Sequence, residues 1–474
     1  MLRSVKFKFL RGIIIHAKIF NVRMIEISAD QLVPNLLSVS EGQKVCVLDS
    51  CRVGKPGANL LIAGIDPVAV CEITRDDPNE TCRIFDEKLG TTNLAAIFTI
   101  SYDFGLKLQG IERQPGRIIS SREPDIYLAL FDCLVIHNYE NGRTFLSGNA
   151  EKFDQILDAL IDFPTPDKPT PTAPDAIVTV RSNFTKPDYL KAVDEIKELI
   201  RSGETYQTNL TQQLSVELSA GLTASEIFLS LRKNHPAPFS AFIDRGSSTV
   251  VSASPERFFQ IQQCRSPHEV RAPSNHSITA SPIKGTRRRG TTVAEDERLR
   301  AELLGSEKDR AENTMIVDLM RNDLGRICEY GSVKVDSLCE LEAHPTLFHL
   351  VSTVSGTLRE ETTFSDIIKA VFPCGSITGA PKIRTMRIIE EIENINRGLS
   401  MGAIGCRIPE ASFALPSAFE MSVAIRTMVI RDGTARFNVG GGIVIDSDSE
   451  SEYDESMLKA RALLRALSTR PSNS

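Results

Sequence analysis

The sequence predicts an α+β fold in which antiparallel sheets are covered by helices, and three observations predict it. Short runs rich in Ile, Val, Phe and Tyr, bounded by Gly and Pro, recur along the chain and read as strands. Turns between them, Asn141-Gly142 above all, have hairpin length rather than the crossover length that parallel strands need. A smaller set of segments repeats apolar residues at helical spacing and supplies the cover.

Taken in order, residues 1–23 carry Arg3, Lys6, Lys8, Arg11, Lys18 and Arg23 with no acid. Their apolar run, Gly12 to Ile15, is too short for a secretory core, so they read as a basic extension ahead of Met24. From Met24 to Gly148 the pattern is mostly strand, at 44–49, 59–64, 94–102, 126–137 and 144–146. Phe153, Ile156, Leu157, Leu160 and Ile161 then mark one amphipathic helix. Five prolines between Pro164 and Pro174 favour extended backbone that buries little, so 164–175 is a linker between a region 24–163 and a larger region 176–470.

The larger region opens on Thr185-Lys-Pro-Asp188, a capped helix start, with Leu190, Val193, Ile196 and Ile200 as its stripe and Gly203 as its stop. Strands follow at 205–218, 239–243, 249–253 and 258–262, and 264–279 reads as a polar surface loop. Further strands at 332–335, 347–354, 418–430 and 436–445 alternate with helices at 312–324, 381–392 and 453–467.

A formal charge of −6, from 55 basic and 61 acidic residues, gives no dominant basic face and no sign of a nucleic-acid partner. No run approaches the roughly 18 apolar residues of a membrane span. Ten cysteines without a Cys-x-x-Cys pair point to reduced thiols in the cytoplasm, and seven histidines without paired spacing leave carboxylates as the ligands of any metal. Carboxylates select a hard cation such as magnesium.

Several residues stand out chemically. Lys284, held between Pro282-Ile283 and Gly285-Thr286, sits on an abruptly ended backbone where a buried amine can serve as nucleophile or base; alone, it is equally the first member of the basic run Lys284, Arg287, Arg288, Arg289. Gly440, Gly441 and Gly442 expose backbone N–H groups to an anion, or form a plain bend, between two strands. Thr378, in GSITGAPK at 375–382, lies at a helix start that favours anions. Arg426, a charge inside an apolar strand, either pairs with a core acid or clamps a substrate carboxylate. Glu312 and Glu455 each sit at a helix start, as dipole complements or, if they converge, as ligands of a cation; Glu455 with Lys459 is also an ordinary i, i+4 pair. Glu256 lies at a corner in SPERF, and His349 on an apolar strand where a hydrogen-bonded core role competes with acid–base chemistry.

Together these strings resemble the chorismate-using enzymes. The matching segments are GETYQ at 203–207, SPERF at 254–258, PIKGT at 282–286, ENTMIVDLMRNDLGR at 312–326, HLVSTVSG at 349–356, GSITGAPK at 375–382, AIRT at 424–427 and GGGIV followed by Glu455 and Lys459. Within that family, lysine in PIKGT is similar to the aminodeoxychorismate synthase component I branch, whereas anthranilate synthase component I normally shows alanine there.

The resemblance implies an anthranilate synthase component I-like fold, with sheets packed face to face, helices outside, an N-terminal region at 24–163 and a chorismate-binding catalytic domain at 176–470. It implies amination of chorismate at carbon 4, with ammonia from a separate glutamine amidotransferase subunit, on the way to 4-aminobenzoate and folate. Lys284 would be the nucleophile, Glu256 the general acid and His349 an orienting group; Gly285, Thr286, Thr378, Arg426, Gly440, Gly441, Gly442 and Lys459 would bind substrate; Glu312 and Glu455 would hold magnesium. Anthranilate synthase component I is the alternative, and a non-catalytic chorismate-binding regulatory subunit a more distant one. Two departures from the family pattern carry expectations. Cys406 replaces a tyrosine expected near the substrate, and Val47-Leu48-Asp49-Ser50 stands where feedback-regulated relatives show Leu-Leu-Glu-Ser, so strong tryptophan inhibition is not expected.

Overall fold

The computed structural model describes residues 21–54, 58–90, 93–120, 122–161, 179–263, 276–343, 347–409, 413, 415 and 418–468. Residues 1–20 of the basic extension, the proline-rich linker and most of the expected 264–279 loop lie outside them.

Among the described residues twelve strands form one sheet and ten form another, in antiparallel ladders. Their facing sides make one apolar cluster: Cys46, Ile136, Ile243 and Val250 of the larger sheet meet Ile97, Tyr127, Ile404 and Cys406 of the smaller. Helices seal each outer side, through Val33, Leu36, Phe228 and Leu463 on the larger sheet and Phe85, Ile316, Met320, Ile368 and Met386 on the smaller. This is the α+β arrangement that the pattern predicts, sheets face to face and helices outside.

Composition divides the chain at the linker, but both sheets join the two sides. Val45–Asp49 pairs with Phe239–Asp244, and Ala95–Ile100 pairs with Ala403–Ile408. Two runs that read as single strands are each split between the sheets. Ile126–Phe131 belongs to the smaller sheet and Cys133–Asn138 to the larger, and Ala418–Val423 and Thr427–Arg431 divide in the same way. Periodicity is blind to such crossings, because both halves remain buried strands.

Other expectations need correction. The region read as mostly strand also holds helices at Ala29–Val39, Pro78–Gly90 and Tyr102–Leu108. His276–Ala280, expected as loop, is a strand of the smaller sheet, and the short strand at 332–335 becomes Lys334–Ala343. Gly440–Gly442 does not separate two strands; it lies within Thr434–Ile443. The helix expected at 312 spans Glu307–Gly325 from an N-cap at Ser306, and the one expected at 453 spans Ser449–Leu467 from Asp448. Glu312 and Glu455 therefore stand in second turns, where the dipole argument weakens and the side chain's direction matters more.

Arg397 is the most deeply held charge in the frame. Its side chain is fully buried and grips Glu393 through two bonds, Nε to Oε2 at 2.9 Å and NH2 to Oε1 at 2.7 Å. It also donates to Ile377 O at 3.0 Å and Asn209 O at 2.7 Å, and packs over the Tyr102 ring at 4.5 Å. One guanidinium thus joins the end of helix Lys382–Ile392, the turn at 375–378 and strand Gln207–Glu217. Arg397→Leu should cost about 3–5 kcal/mol in urea unfolding, because Glu393 is left buried without its cation; a loss below about 1 kcal/mol would contradict this account.

Candidate functional site

Two crossings between the sheets run side by side and build one wall of the site. Thr249–Ser254 of the larger sheet leads through Pro255-Glu256 into Arg257–Gln263 of the smaller, while Ala418–Val423 leads back through Ala424 to Arg426. Ala253 N bonds Arg426 O at 3.0 Å, Val423 N bonds Glu256 O at 3.1 Å, and the Ser254 hydroxyl donates to Val423 O at 2.6 Å. Arg426 takes φ +48°, the left-handed region in which a non-glycine residue is strained.

Glu256 is buried and its Oε1 has no hydrogen-bond partner. Burial pushes its carboxyl up to about 7, against the Ser376 hydroxyl, the Lys284 charge and the Ile283 N–H. A carboxylic acid that stays protonated near neutrality is suited to general-acid work. Arg426 pairs with no carboxylate among the described residues, and burial alone lowers its pKa. The core-acid reading of Arg426 therefore falls, and its charge bears on His235, as that of Arg465 does, and is not among the main influences on Glu256 or Glu455.

Lys284 lies on strand Ile283–Arg288, opposite Leu350, next to a bulge at Gly285. Gly285 takes φ +81°, and a Cβ there would meet Asp309 Cβ and Leu303 Cδ1 at 3.0 Å. The bulge offsets Thr286, which pairs with His349; the Thr286 hydroxyl and His349 Nδ1 stand 2.9 Å apart. Lys284 Nζ is 3.7 Å from Glu312 Oε2, both side chains 15 % exposed. The surface-lysine reading is thus not what the fold shows, and the charge of Lys284 also bears on Glu256 and Glu455. The arginines of its run are paired instead, Arg287 with Glu302 and Asp309, Arg288 with Glu295 and Arg289 with Asp296.

The glycine run forms the opposite part. Gly440, Gly441 and Gly442 pair with Thr211, Leu210 and Asn209, while the ladder on their other edge covers only Thr434–Arg436. A Cβ at Gly441 would stand 3.3 Å from Glu452 Oε2 and 3.5 Å from Lys459 Nζ. Lys459 Nζ donates to Gly440 O at 2.9 Å and meets Glu455 Oε1 at 2.8 Å. Burial raises the Glu455 pKa, but Lys459, Lys308 and Lys284 outweigh it and leave the carboxyl below its usual range. Glu452, one turn earlier and buried, accepts from Ser447 at 2.6 Å; burial and the neighbouring Glu455 charge push its pKa up.

Lys284, Glu256, Glu312, Glu455, Lys459 and the glycines are thus brought into one electrostatic neighbourhood. Thr378 is placed differently: its buried hydroxyl donates to Cys374 O at 3.1 Å and Gly375 O at 3.3 Å, closing a turn. Cys406 lies in the inter-sheet apolar cluster, its thiol pushed up to about 12 by burial. Sequence reasoning missed Glu452, Lys308 and Gln207. Glu452 had a signal, its i, i+3 spacing to Glu455 on one helix face. Gln207 is fully buried with neither amide atom bonded, and its Nε2 would stand 2.2 Å from a Cβ at Gly442.

Carboxylate oxygens are the ligands magnesium takes, and the like charges of Glu452 and Glu455 would be relieved by a cation between the helices. Among the described residues no three acidic, His or Cys side chains converge into a closed cage, and magnesium does not require one, since it keeps waters and takes substrate oxygens.

A family model described as chorismate binding enzyme matches residues 47–465. The chain belongs to the chorismate-binding enzyme family. It is 33% identical over 453 residues to "Aminodeoxychorismate synthase component 1" of Bacillus subtilis, covering 89% of this chain and 91% of that one. It is 38% identical over 360 residues to "Aminodeoxychorismate synthase" of Streptomyces griseus, covering 74% of this chain and 47% of the relative, so it spans about half that protein's length. The fold is shared with anthranilate synthase component I from Streptococcus pneumoniae, TM-score 0.68 at 24% identity, covering 96% and 95% of the two chains. Among the described residues no helix is long and apolar enough to cross a membrane.

The bulge that sets Lys284 apart from Thr286 depends on Gly285. Gly285→Ala should lower stability by about 1–3 kcal/mol, the cost of holding a Cβ at positive φ, and unfolding by urea measures it; an unchanged midpoint would show that the bulge relaxes freely.

Proposed function

We propose that this chain is the aminating component of an aminodeoxychorismate synthase, converting chorismate and ammonia to 4-amino-4-deoxychorismate. The observation that carries the reading is a lysine amine set between a buried, protonatable Glu256 and the Glu312–Glu455 carboxylates. Magnesium held by Glu312 and Glu455 would neutralise the substrate's ring carboxylate. Arg426, the N–H groups of Gly440–Gly442 and Lys459 supply further partners for a dianion, with Gly285 and Thr286 shaping the floor and His349 orienting through Thr286.

Once its ammonium has lost a proton to solvent, Lys284 bonds through the freed nitrogen pair to ring carbon 2, the double bond shifts, and the carbon 4 hydroxyl leaves as water with the proton from Glu256. Ammonia then bonds carbon 4, the double bond shifts back, and the carbon 2 bond breaks with its pair returning to Lys284. The proton shed by the new ammonium restores the Glu256 acid. Two displacements replace one substitution, which is the gain from a covalent lysine.

A separate glutamine amidotransferase subunit would supply the ammonia, since no Gly-x-Cys-x-Gly string surrounds any cysteine of this chain. The nine described cysteines are all free thiols, in keeping with a cytoplasmic setting.

Incubation with chorismate, magnesium and an ammonium salt should trap a lysine-284 adduct by intact-chain mass spectrometry, and Lys284→Ala should cut amination at carbon 4 by 100-fold or more, roughly the weight of a lost nucleophile or acid. Fluorescent anthranilate as the wild-type product would favour the anthranilate synthase reading instead. The acid form of Glu256 is the active one, so the rate should fall as pH rises through about 7, and Glu256→Gln should lose that limb along with most of the rate. Asp49 already accepts from Arg232, Tyr139 and Cys51 N, at 2.8, 2.7 and 2.8 Å, which leaves its carboxylate little capacity for a ligand amine. Added tryptophan should therefore leave initial rates unchanged, and micromolar inhibition would refute this.

A further inference from the structure

The inner side of strand Gln207–Glu217 is unlike the rest of the inter-sheet space. Where neighbouring strands present Ile243, Val250 and Val429, this one presents Gln207, Asn209, Thr211 and Gln213, all buried. Alternation puts the four on one face, and at ~3.3 Å per residue they span roughly 20 Å. Gln207 Nε2 and Oε1, Asn209 Oδ1 and Gln213 Oε1 have no protein partner, and each is costly to bury in that condition. Across the ladder Asn438, Gly440 and Gly442 pair with Gln213, Thr211 and Asn209, and the Gln207 amide packs where a Cβ of Gly442 would stand.

The stripe has two ends. At the inner end the Gln207 amide lies against Gly442, beside the Gly441 that meets Glu452 and Lys459. At the outer end Gln213 Nε2 donates to Asn396 O and Asn438 Oδ1, both at 3.2 Å. Asn396 in turn accepts from Ser120 N at 2.8 Å and donates to Asp103 at 2.9 Å, and Asp103 pairs with Arg113, whose side chain is 38 % exposed. A row of amides and hydroxyls therefore runs from a surface loop to the site. Its acidic neighbours are paired, Glu393 with Arg397 and Asp103 with Arg113.

We propose that this stripe is the route by which ammonia reaches the reacting centre, handed between the unpaired amide groups of Gln213, Asn209 and Gln207. Neutral ammonia both donates and accepts, as the stripe requires, and the lack of an unpaired carboxylate along it disfavours the ammonium ion. The inference rests on the reading that ammonia is the nucleophile, and it adds where the ammonia travels.

The test is steady-state kinetics of the full chain with chorismate, magnesium and an ammonium salt. Asn209→Leu and Gln213→Leu, which fill the stripe with apolar volume, should raise the half-saturating ammonium concentration about fivefold or more while the chorismate KM stays within about twofold. Unchanged ammonium saturation in folded variants would overturn the route. A high-resolution crystal structure of the unmodified chain gives a second, activity-independent readout. Ordered solvent on Asn209 Oδ1 and Gln213 Oε1 is expected, and a stripe that contacts only protein would overturn it. If the unmodified chain forms no amine at all, the reading of the reaction fails and the route with it, whereas amine formation with unchanged ammonium saturation in the folded variants overturns the route alone.

Discussion

A buried cation that must be paired is the constraint on which the site's frame depends. Removed from water, the Arg397 guanidinium is tolerable only where its donors are met, and it meets them with Glu393 and the carbonyls of Ile377 and Asn209. Those partners come from a helix end, a tight turn and a strand that are far apart in sequence. The requirement for pairing thus fixes their relative position more tightly than apolar packing could, since dispersion and burial are not directional. Thr211, which gives both its N–H and its hydroxyl to Glu393, carries the same constraint to the strand facing Gly440.

Around that frame the charges divide by their partners. Glu256 and Glu452, buried without a direct cationic partner, have their pKa values raised, whereas Glu455, bonded to Lys459, has its pKa lowered against its own burial. The site therefore holds a proton-bearing acid and an ionised carboxylate close to the same lysine. Environment rather than residue type separates their roles.

The comparison with relatives shows which features are general. A shared architecture at 24% identity shows that two packed sheets with helical cover survive wide sequence change. On such a frame the proposed chemistry rests on a handful of side chains, the lysine in PIKGT at 282–286 first among them.

Much was legible in the sequence. Strand alternation, the Asn141-Gly142 hairpin, the capped helix at Thr185 and the oddity of Lys284 between Ile283 and Gly285 are local signals, carried by neighbours within a few residues. The same locality hid the rest. Splitting 126–137 and 418–430 between two sheets leaves both halves of each run as strands, so no periodicity registers it. Helix starts at Ser306 and Asp448 were placed late because the polar first turns carry no apolar stripe. By itself the sequence determined the strands and helices that carry a clear apolar period, though not the helices at Ala29–Val39, Pro78–Gly90 and Tyr102–Leu108, and the kinds of chemical group available. Tertiary structure alone decided that Lys284 faces Glu312 and that Arg426 meets no carboxylate among the described residues, because each depends on contacts between segments that only the packing of the sheets brings together.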